Sequence, residues 1–382
     1  MTTLKRPALP ALTSLRFFAA WAIVVHHCNG VFWPAADLGP LDAGVSFFFV
    51  LSGFILTYVY LDPAGGPLKP KDFFIARLAR IWPLHLATLL LTIFAVSIPE
   101  SFDIGVLLAN GLMLHAWIPF DRYFFSYNYV SWSISTELFF YLLFPYLLRC
   151  RFFSLRGMLA LTAILSFALL TVVTLAFFSA AEHLPVWDVQ GDPLSSTGLL
   201  YTFPPARLAE FLIGMICGMI FMQRQSRATT LTRATVNECL AMLGFAFIFY
   251  CFLTAPISLS APSPSITAQI IALLREWLGH VGLAPSAAIV VYIFAFQQGS
   301  LSRCLSHRCL IFLGEISFAL YLVHQLTLRV FQQHLHRLAY HFDLPGFCLF
   351  VIGVVLLAAM LHLGIERPVR AWLTRRLIAQ SG

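Results

Sequence analysis

Apolar stretches of 15 to 22 residues recur along the whole chain, and no other feature of the sequence limits its fold as sharply. Each is close to the roughly 20 residues that an α-helix needs to cross a bilayer. Alternating strands of about ten residues, the mark of a membrane β-barrel, are absent. Of 382 residues, 59% are hydrophobic and 11% charged, whereas soluble domains carry about 25% charged residues. Backbone in hydrocarbon must satisfy its own hydrogen bonds, which helices do and open sheets do not. The expected fold is all-α, a polytopic transmembrane helix bundle. One membrane domain over residues 1–382 is expected, with no internal repeat and no separate soluble domain.

Spans are expected near 12–33, 44–61, 81–98, 131–148, 158–178, 207–222, 239–255, 284–298, 310–328 and 346–364. An eleventh segment, 105–118, is short and holds Asn110 and His115. The positive-inside rule arbitrates, because counting that segment reverses the side of everything after it. Without it, 18 basic residues fall on the cytoplasmic side and five outside; with it the split is 11 to 12. The biased count selects about ten spanning helices with both termini cytoplasmic. An outer stretch, 179–206, then carries Glu182, Asp188 and Asp192.

The same grouping explains the net charge of +7 as topology, not as a nucleic-acid face. The eight cysteines form no CxxC pair and are expected as small hydrophobes, with no metal site. Lys5 and Arg6 before an apolar run resemble a signal peptide, but Arg16, His26 and His27 interrupt that run, so a retained first helix is expected.

That first helix, LRFFAAWAIVVHHC, carries an arginine and two imidazoles where polar groups are costly. Eleven residues at about 100° each bring Arg16 and His27 to nearly the same face, about 16 Å apart along the axis. His26 points aside and is expected to pack against or bond a neighbour, as is His362. Threading places Arg16 near the inner surface and His27 past the middle. Glu137, in YVSWSISTELFFYLLFP, falls near the outer end of its helix, after Trp132, Ser133 and Ser135. Arg207 and Glu210 open another helix from the outer side, and His324 lies toward the outer end of a third. Arg77 and Arg80, at i and i+3, share a helix surface at the inner face; such a pair is commonly a membrane anchor. Ser52 and Gly53 in FFFVLSGFIL suit close helix packing.

Taken in order, LTSLRFFAAWAIVVHH, GVSFFFVLSGFIL, FFIARLARIWPLH, NYVSWSISTELFFYLLFP, RLAEFLIGMICG, ISFALYLVHQ and IERPVRAWL resemble the acyltransferase-3 family of bacterial integral membrane acyltransferases, which modify cell-envelope and exported sugars. The family's arginine, ten intervening residues and histidine fall on Arg16 and His27, and its two-arginine motif on Arg77 and Arg80. Departures are Ala76 and Leu84 around the two-arginine motif, and Thr136 and Leu138 flanking Glu137.

The resemblance implies an acyl-CoA donor, most often acetyl-CoA, and O-acetylation of a carbohydrate or glycosylated acceptor, as in polysaccharide modification, at the bacterial inner membrane. Arg77 and Arg80 would bind the phosphates of CoA as paired forks. His27 would be catalytic, either as the base for the acceptor hydroxyl or by first taking the acyl group itself; Glu137 would orient His27 or bind acceptor hydroxyls, and Arg16 would orient the pantetheine arm or keep His27 neutral. Trp132, Ser135, Arg207, Glu210 and His324 would contact substrate. The expected partners are the lipid bilayer, the donor and the acceptor, with no nucleic acid; a homo-oligomer is compatible with the sequence. The rival reading is a transporter or flippase exporting an envelope sugar or metabolite. Against it stands the absence of repeated halves and of matching broken helices.

Overall fold

The computed structural model describes residues 6–33, 35–36, 38–61, 68–96, 103–149, 154–179, 197–224, 229–254, 266–335 and 344–379. Their regular structure is helical throughout, apart from one isolated bridge between Asn29 and Trp33. The α-helices in chain order are α1 Pro10–Cys28, α2 Gly44–Tyr60, α3 Pro70–Ala95, α4 Ile104–Gly111, α5 Asp121–Phe124, α6 Trp132–Arg149, α7 Leu155–Ser179, α8 Leu208–Arg224, α9 Leu231–Thr254, α10 Ile266–Val281, α11 Ala284–Ala295, α12 Ser300–Leu305, α13 Arg308–Leu335, α14 Leu344–Leu361 and α15 Arg367–Ala379. Prolines start α1 and α3, where a missing N–H leaves no bond unmade.

Among the described residues, nine helical segments are long and apolar enough to cross a membrane. The remaining span expected at 131–148 forms as α6, whose first turns carry Ser133, Ser135, Thr136 and Glu137. The doubtful segment at 105–118 does not form one long helix. It makes α4, eight residues capped by Asp103, then a separate 3-10 turn at His115–Trp117. Eight residues rise about 12 Å, well short of the hydrocarbon core. The acidic stretch with Glu182, Asp188 and Asp192 lies outside the described residues.

Burial sorts the helices into an inner set and a lipid-facing set. The spans of α2, α8 and α13 are 61%, 72% and 61% buried, whereas those of α7 and α9 are 6% and 11% buried and present leucine and phenylalanine outward. The inner helices approach closely because small residues permit it. A Cβ on Gly53 of α2 would stand 2.1 Å from the Phe211 carbonyl oxygen, and one on Gly214 of α8 would stand 2.0 Å from that of Val50. The expected packing role of Gly53 is therefore what α2 and α8 use. Likewise α1 and α13 run side by side: a Cβ on Gly314 would meet the Thr13 carbonyl at 2.0 Å, and Ser14 Oγ donates to Leu305 O at 2.5 Å.

The short α12 is held by a carboxylate from a different helix. Glu238 of α9 accepts from the backbone N–H groups of Gly299 (3.0 Å), Leu301 (3.0 Å) and Ser302 (3.3 Å), and from Ser302 Oγ at 2.5 Å. It satisfies donors that a helix start leaves open. The chain thereby enters α13 at a fixed position beside α1.

Candidate active site

A cavity of about 570 Å³ lies between α1, α2, α3, α6, α13 and α15. Five arginines line it: Arg6, Arg16, Arg77, Arg80 and Arg370, with Glu137 as the lining carboxylate. Three elements bring the inner group together. Helical spacing puts Arg77 and Arg80 on one face of α3, α6 brings Glu137, and α15 packs along α3 to add Arg370. Arg16 reaches the same space from α1, and its electrostatic partners are Arg80, Glu366, Glu137 and Tyr141. The Arg77 guanidinium lies over the rings of Tyr60 (5.8 Å) and Tyr141 (5.9 Å), and its Nε is buried without a hydrogen-bond partner among the described residues. Tyr141 Oη donates to Glu137 Oε1.

Like charges gathered in a partly enclosed space repel one another, and desolvation adds to the cost. One carboxylate on the lining, and Glu366 nearby, leave a large positive surplus. Such a cavity suits a polyanionic guest with oxygen acceptors matched to guanidinium forks.

Tyr321 and Ser133 also line the cavity. They are tied together, Ser133 Oγ and Tyr321 Oη being 2.8 Å apart, and Tyr321 Oη donates to Val130 O at 2.9 Å. One turn beyond Tyr321 is His324, which is fully buried. Its Nε2 is 3.1 Å from His27 Nδ1, and the two ring centroids are 5.0 Å apart. His27 itself is half-buried, does not line the cavity, and has its Nδ1 3.0 Å from Ile23 O.

The structure thus brings four expected residues into one cavity, Arg16, Arg77, Arg80 and Glu137, and joins two others, His27 and His324, into a pair. It does not join Glu137 to His27: the carboxylate faces Tyr141 and the arginines. Four other expected residues, Ser135, Arg207, Glu210 and Trp132, have these partners within the protein. Ser135 is buried and donates to Met113 O at 2.6 Å, holding the turn that follows α4. Arg207 and Glu210 form a buried ion pair, with Nε–Oε2 at 2.9 Å and Nη2 donating to Oε1 at 3.0 Å. Trp132 packs over Arg207 and against Tyr201, its ring centroid 4.6 Å from that of the tyrosine.

His26 is exposed and not packed in the core, meeting only the edge of His27 at 5.3 Å among the described ring contacts. His362 does bond a neighbour, Glu366 Oε2, at 2.8 Å.

Sequence reasoning missed Arg370, Arg6 and Tyr141. Tyr141 had a signal, standing at i+4 from Glu137 on one helix face. Arg370 stood in the matched segment IERPVRAWL, but a basic helix end reads first as an anchor.

With this geometry in view, comparison with known proteins decides the family. The acyltransferase domain model of the acyltransferase-3 family matches residues 9–363. The chain belongs to that family. It is similar to "Acyltransferase MdmB" of Streptomyces mycarofaciens, 28% identical over 84% of this chain and 79% of that protein. It is also similar to "Putative peptidoglycan O-acetyltransferase YrhL" of Bacillus subtilis, 24% identical over 95% of this chain, and to the Staphylococcus aureus protein "Putative O-acetyltransferase SACOL0978", 22% identical over 83%. The chain spans about half the length of those last two, 55% and 50%. No solved structure matches it. A multi-pass membrane acyltransferase of the O-acetyltransferase type is the activity its family supports.

Proposed function

We propose that this acyltransferase takes an acyl group, acetyl in the first instance, from cytoplasmic acyl-CoA and transfers it to a hydroxyl of a carbohydrate or glycosylated acceptor on the outer side of a bacterial inner membrane. The observation that carries the reading is the arginine surplus of a cavity whose lining includes the same helix that bears His27. Phosphates of CoA match the guanidinium forks of Arg77, Arg80 and Arg370. Arg16 stands further along α1, about 16 Å of helix rise from His27, on the order of the length of the pantetheine arm. The biased distribution of basic residues supports a donor site on the cytoplasmic side.

In the transfer, the acceptor hydroxyl gives its proton to His27 as its oxygen attacks the thioester carbonyl. The carbonyl carbon forms the new ester bond, the carbon–sulfur bond breaks, and His27 returns the proton to the leaving thiolate. Arg16 steers the acyl arm. Glu137 limits the mutual repulsion of the arginines when the cavity holds no donor. Trp132, Arg207 and Glu210 shape the wall from behind.

The test is His27→Ala in washed membranes supplied with radiolabelled acetyl-CoA. Transfer to the endogenous acceptor falls to background while protein abundance stays unchanged; retained transfer removes His27 from the mechanism. Mass spectrometry of the envelope and exported fractions, with and without the gene, then identifies the acyl group by its mass increment and the acceptor by the fraction that changes. A change in amount without a mass increment overturns the enzyme reading in favour of export.

A further inference from the structure

We infer that His324 is a positioning residue that fixes the tautomer of His27 and so decides which of its nitrogens is the base. The inference rests on the reading of His27 as base and goes beyond it, because it assigns the work to a second helix. His324 Nδ1 lies 2.6 Å from Tyr321 O, and a carbonyl only accepts, so Nδ1 carries the hydrogen. A neutral His324 then presents a lone pair at Nε2, the atom 3.1 Å from His27 Nδ1. The other neighbour of His27 Nδ1 is Ile23 O at 3.0 Å, again an acceptor. Two acceptors converging on one ring nitrogen place a hydrogen there, shared between them. The Nε2 of His27 is left with its lone pair, ready to take the proton of an acceptor hydroxyl.

The arrangement is built by the backbone and not by chance contact. Gly314 lets α13 touch α1 at Thr13, and Ser14 bonds the chain just before α13, so the two helices hold one register from Thr13 to His27. His324 is sealed at 0% exposure, and its Nε2 meets His27 Nδ1 at 3.1 Å. Among the described residues, the charge interactions of His27 are with His324 and His26 and with no carboxylate. The orienting role that a carboxylate fills in many acid–base pairs is thus filled by an imidazole. After His27 accepts a proton at Nε2, its Nδ1–H remains bonded to His324 Nε2 and Ile23 O, which stabilises the imidazolium until the leaving thiolate takes the proton back.

The test compares His324→Leu with His324→Gln, whose amide oxygen can accept the Nδ1–H. In membranes with radiolabelled acetyl-CoA, His324→Leu lowers the maximal rate on the order of 10- to 100-fold with the acetyl-CoA KM unchanged, and His324→Gln recovers most of it. Ring ¹⁵N spectra of the full chain in detergent, with the His27 signals assigned by their loss in His27→Ala, show Nδ1 protonated in the wild type and mixed tautomers in His324→Leu. Where His324→Leu fails to accumulate, His324→Gln carries both measurements and keeps the Nδ1–H signature. A normal rate in His324→Leu, an effect confined to KM, or a His324→Gln as slow as the leucine variant overturns the inference. An inactive His27→Ala beside a normal His324→Leu sinks this inference alone, whereas an active His27→Ala sinks the proposed function as well.

Discussion

Two regions of this bundle bury arginine in opposite ways. Arg207 is 1% exposed, faces a carboxylate that is 0% exposed, donates to Ser46 Oγ at 3.2 Å, and lies among the rings of Phe49, Trp132 and Tyr201 at 5.3 to 5.7 Å. Its charge is answered within the protein, and the aromatic rings fill the space a ligand would need. Arg16, Arg77, Arg80 and Arg370 are gathered round an open cavity with one lining carboxylate. The difference teaches that burial of a charge does not by itself mark a functional site. The mark is a charge that the protein leaves unanswered beside a space that can hold the answer.

The comparison breaks most readily at Arg207. Removing one member of a buried ion pair strands the other, so Arg207→Ala or Glu210→Ala is expected to cost about 3–5 kcal/mol. Thermal unfolding in detergent reads this as a marked fall in Tm. The double variant Arg207→Met with Glu210→Leu regains most of the loss, because no charge is left stranded. If each single variant unfolds like wild type, the pair is not structural and the contrast fails.

Next comes Arg80. A hydrogen bond to a charged group contributes about 1.5–3 kcal/mol, so Arg80→Ala should raise the KM for acetyl-CoA roughly ten- to a hundredfold. Relief of repulsion among the arginines leaves Tm unchanged or slightly higher. An effect confined to acceptor affinity would move the donor away from this cavity.

How far the sequence disclosed this arrangement depends on what each residue answers to. The helical bundle was legible because apolar length has one reading in a bilayer, and the shared face of Arg77 and Arg80 was legible because helical phase is local. Gly53 was legible too, since a small residue in a long apolar run has few uses. The surroundings of Arg207 were not legible, because the rings that enclose it come from α2, α6 and the segment containing Tyr201, which no local pattern brings together. The partnership of His27 with His324 spans 297 positions and depends on the packing of Gly314 against Thr13, so the sequence displayed both histidines but not their bond. Glu137 was placed by threading at the right helix, yet its neighbours on α1, α3 and α15 turn it toward the arginines.

The smallest effect expected is at Tyr141, and it sharpens the contrast most finely. Its hydroxyl donates to Glu137 while its ring lies beneath Arg77, so the residue keeps the single lining carboxylate engaged and out of full pairing with the cations. Tyr141→Phe removes the hydroxyl and leaves the ring. A hydrogen bond to a charged group contributes about 1.5–3 kcal/mol, only part of which passes to donor affinity as the released carboxylate competes with the donor for Arg16 and Arg80. The acetyl-CoA KM should therefore rise roughly two- to tenfold at unchanged maximal rate. Tyr141→Leu, which also removes the ring from Arg77, should exceed it. A fall in maximal rate at constant KM would instead place Glu137 at the reacting atoms. The cavity would then be a catalytic chamber in its own right, and the separation between an arginine-lined donor site and a histidine pair one turn beyond Tyr321 would no longer hold.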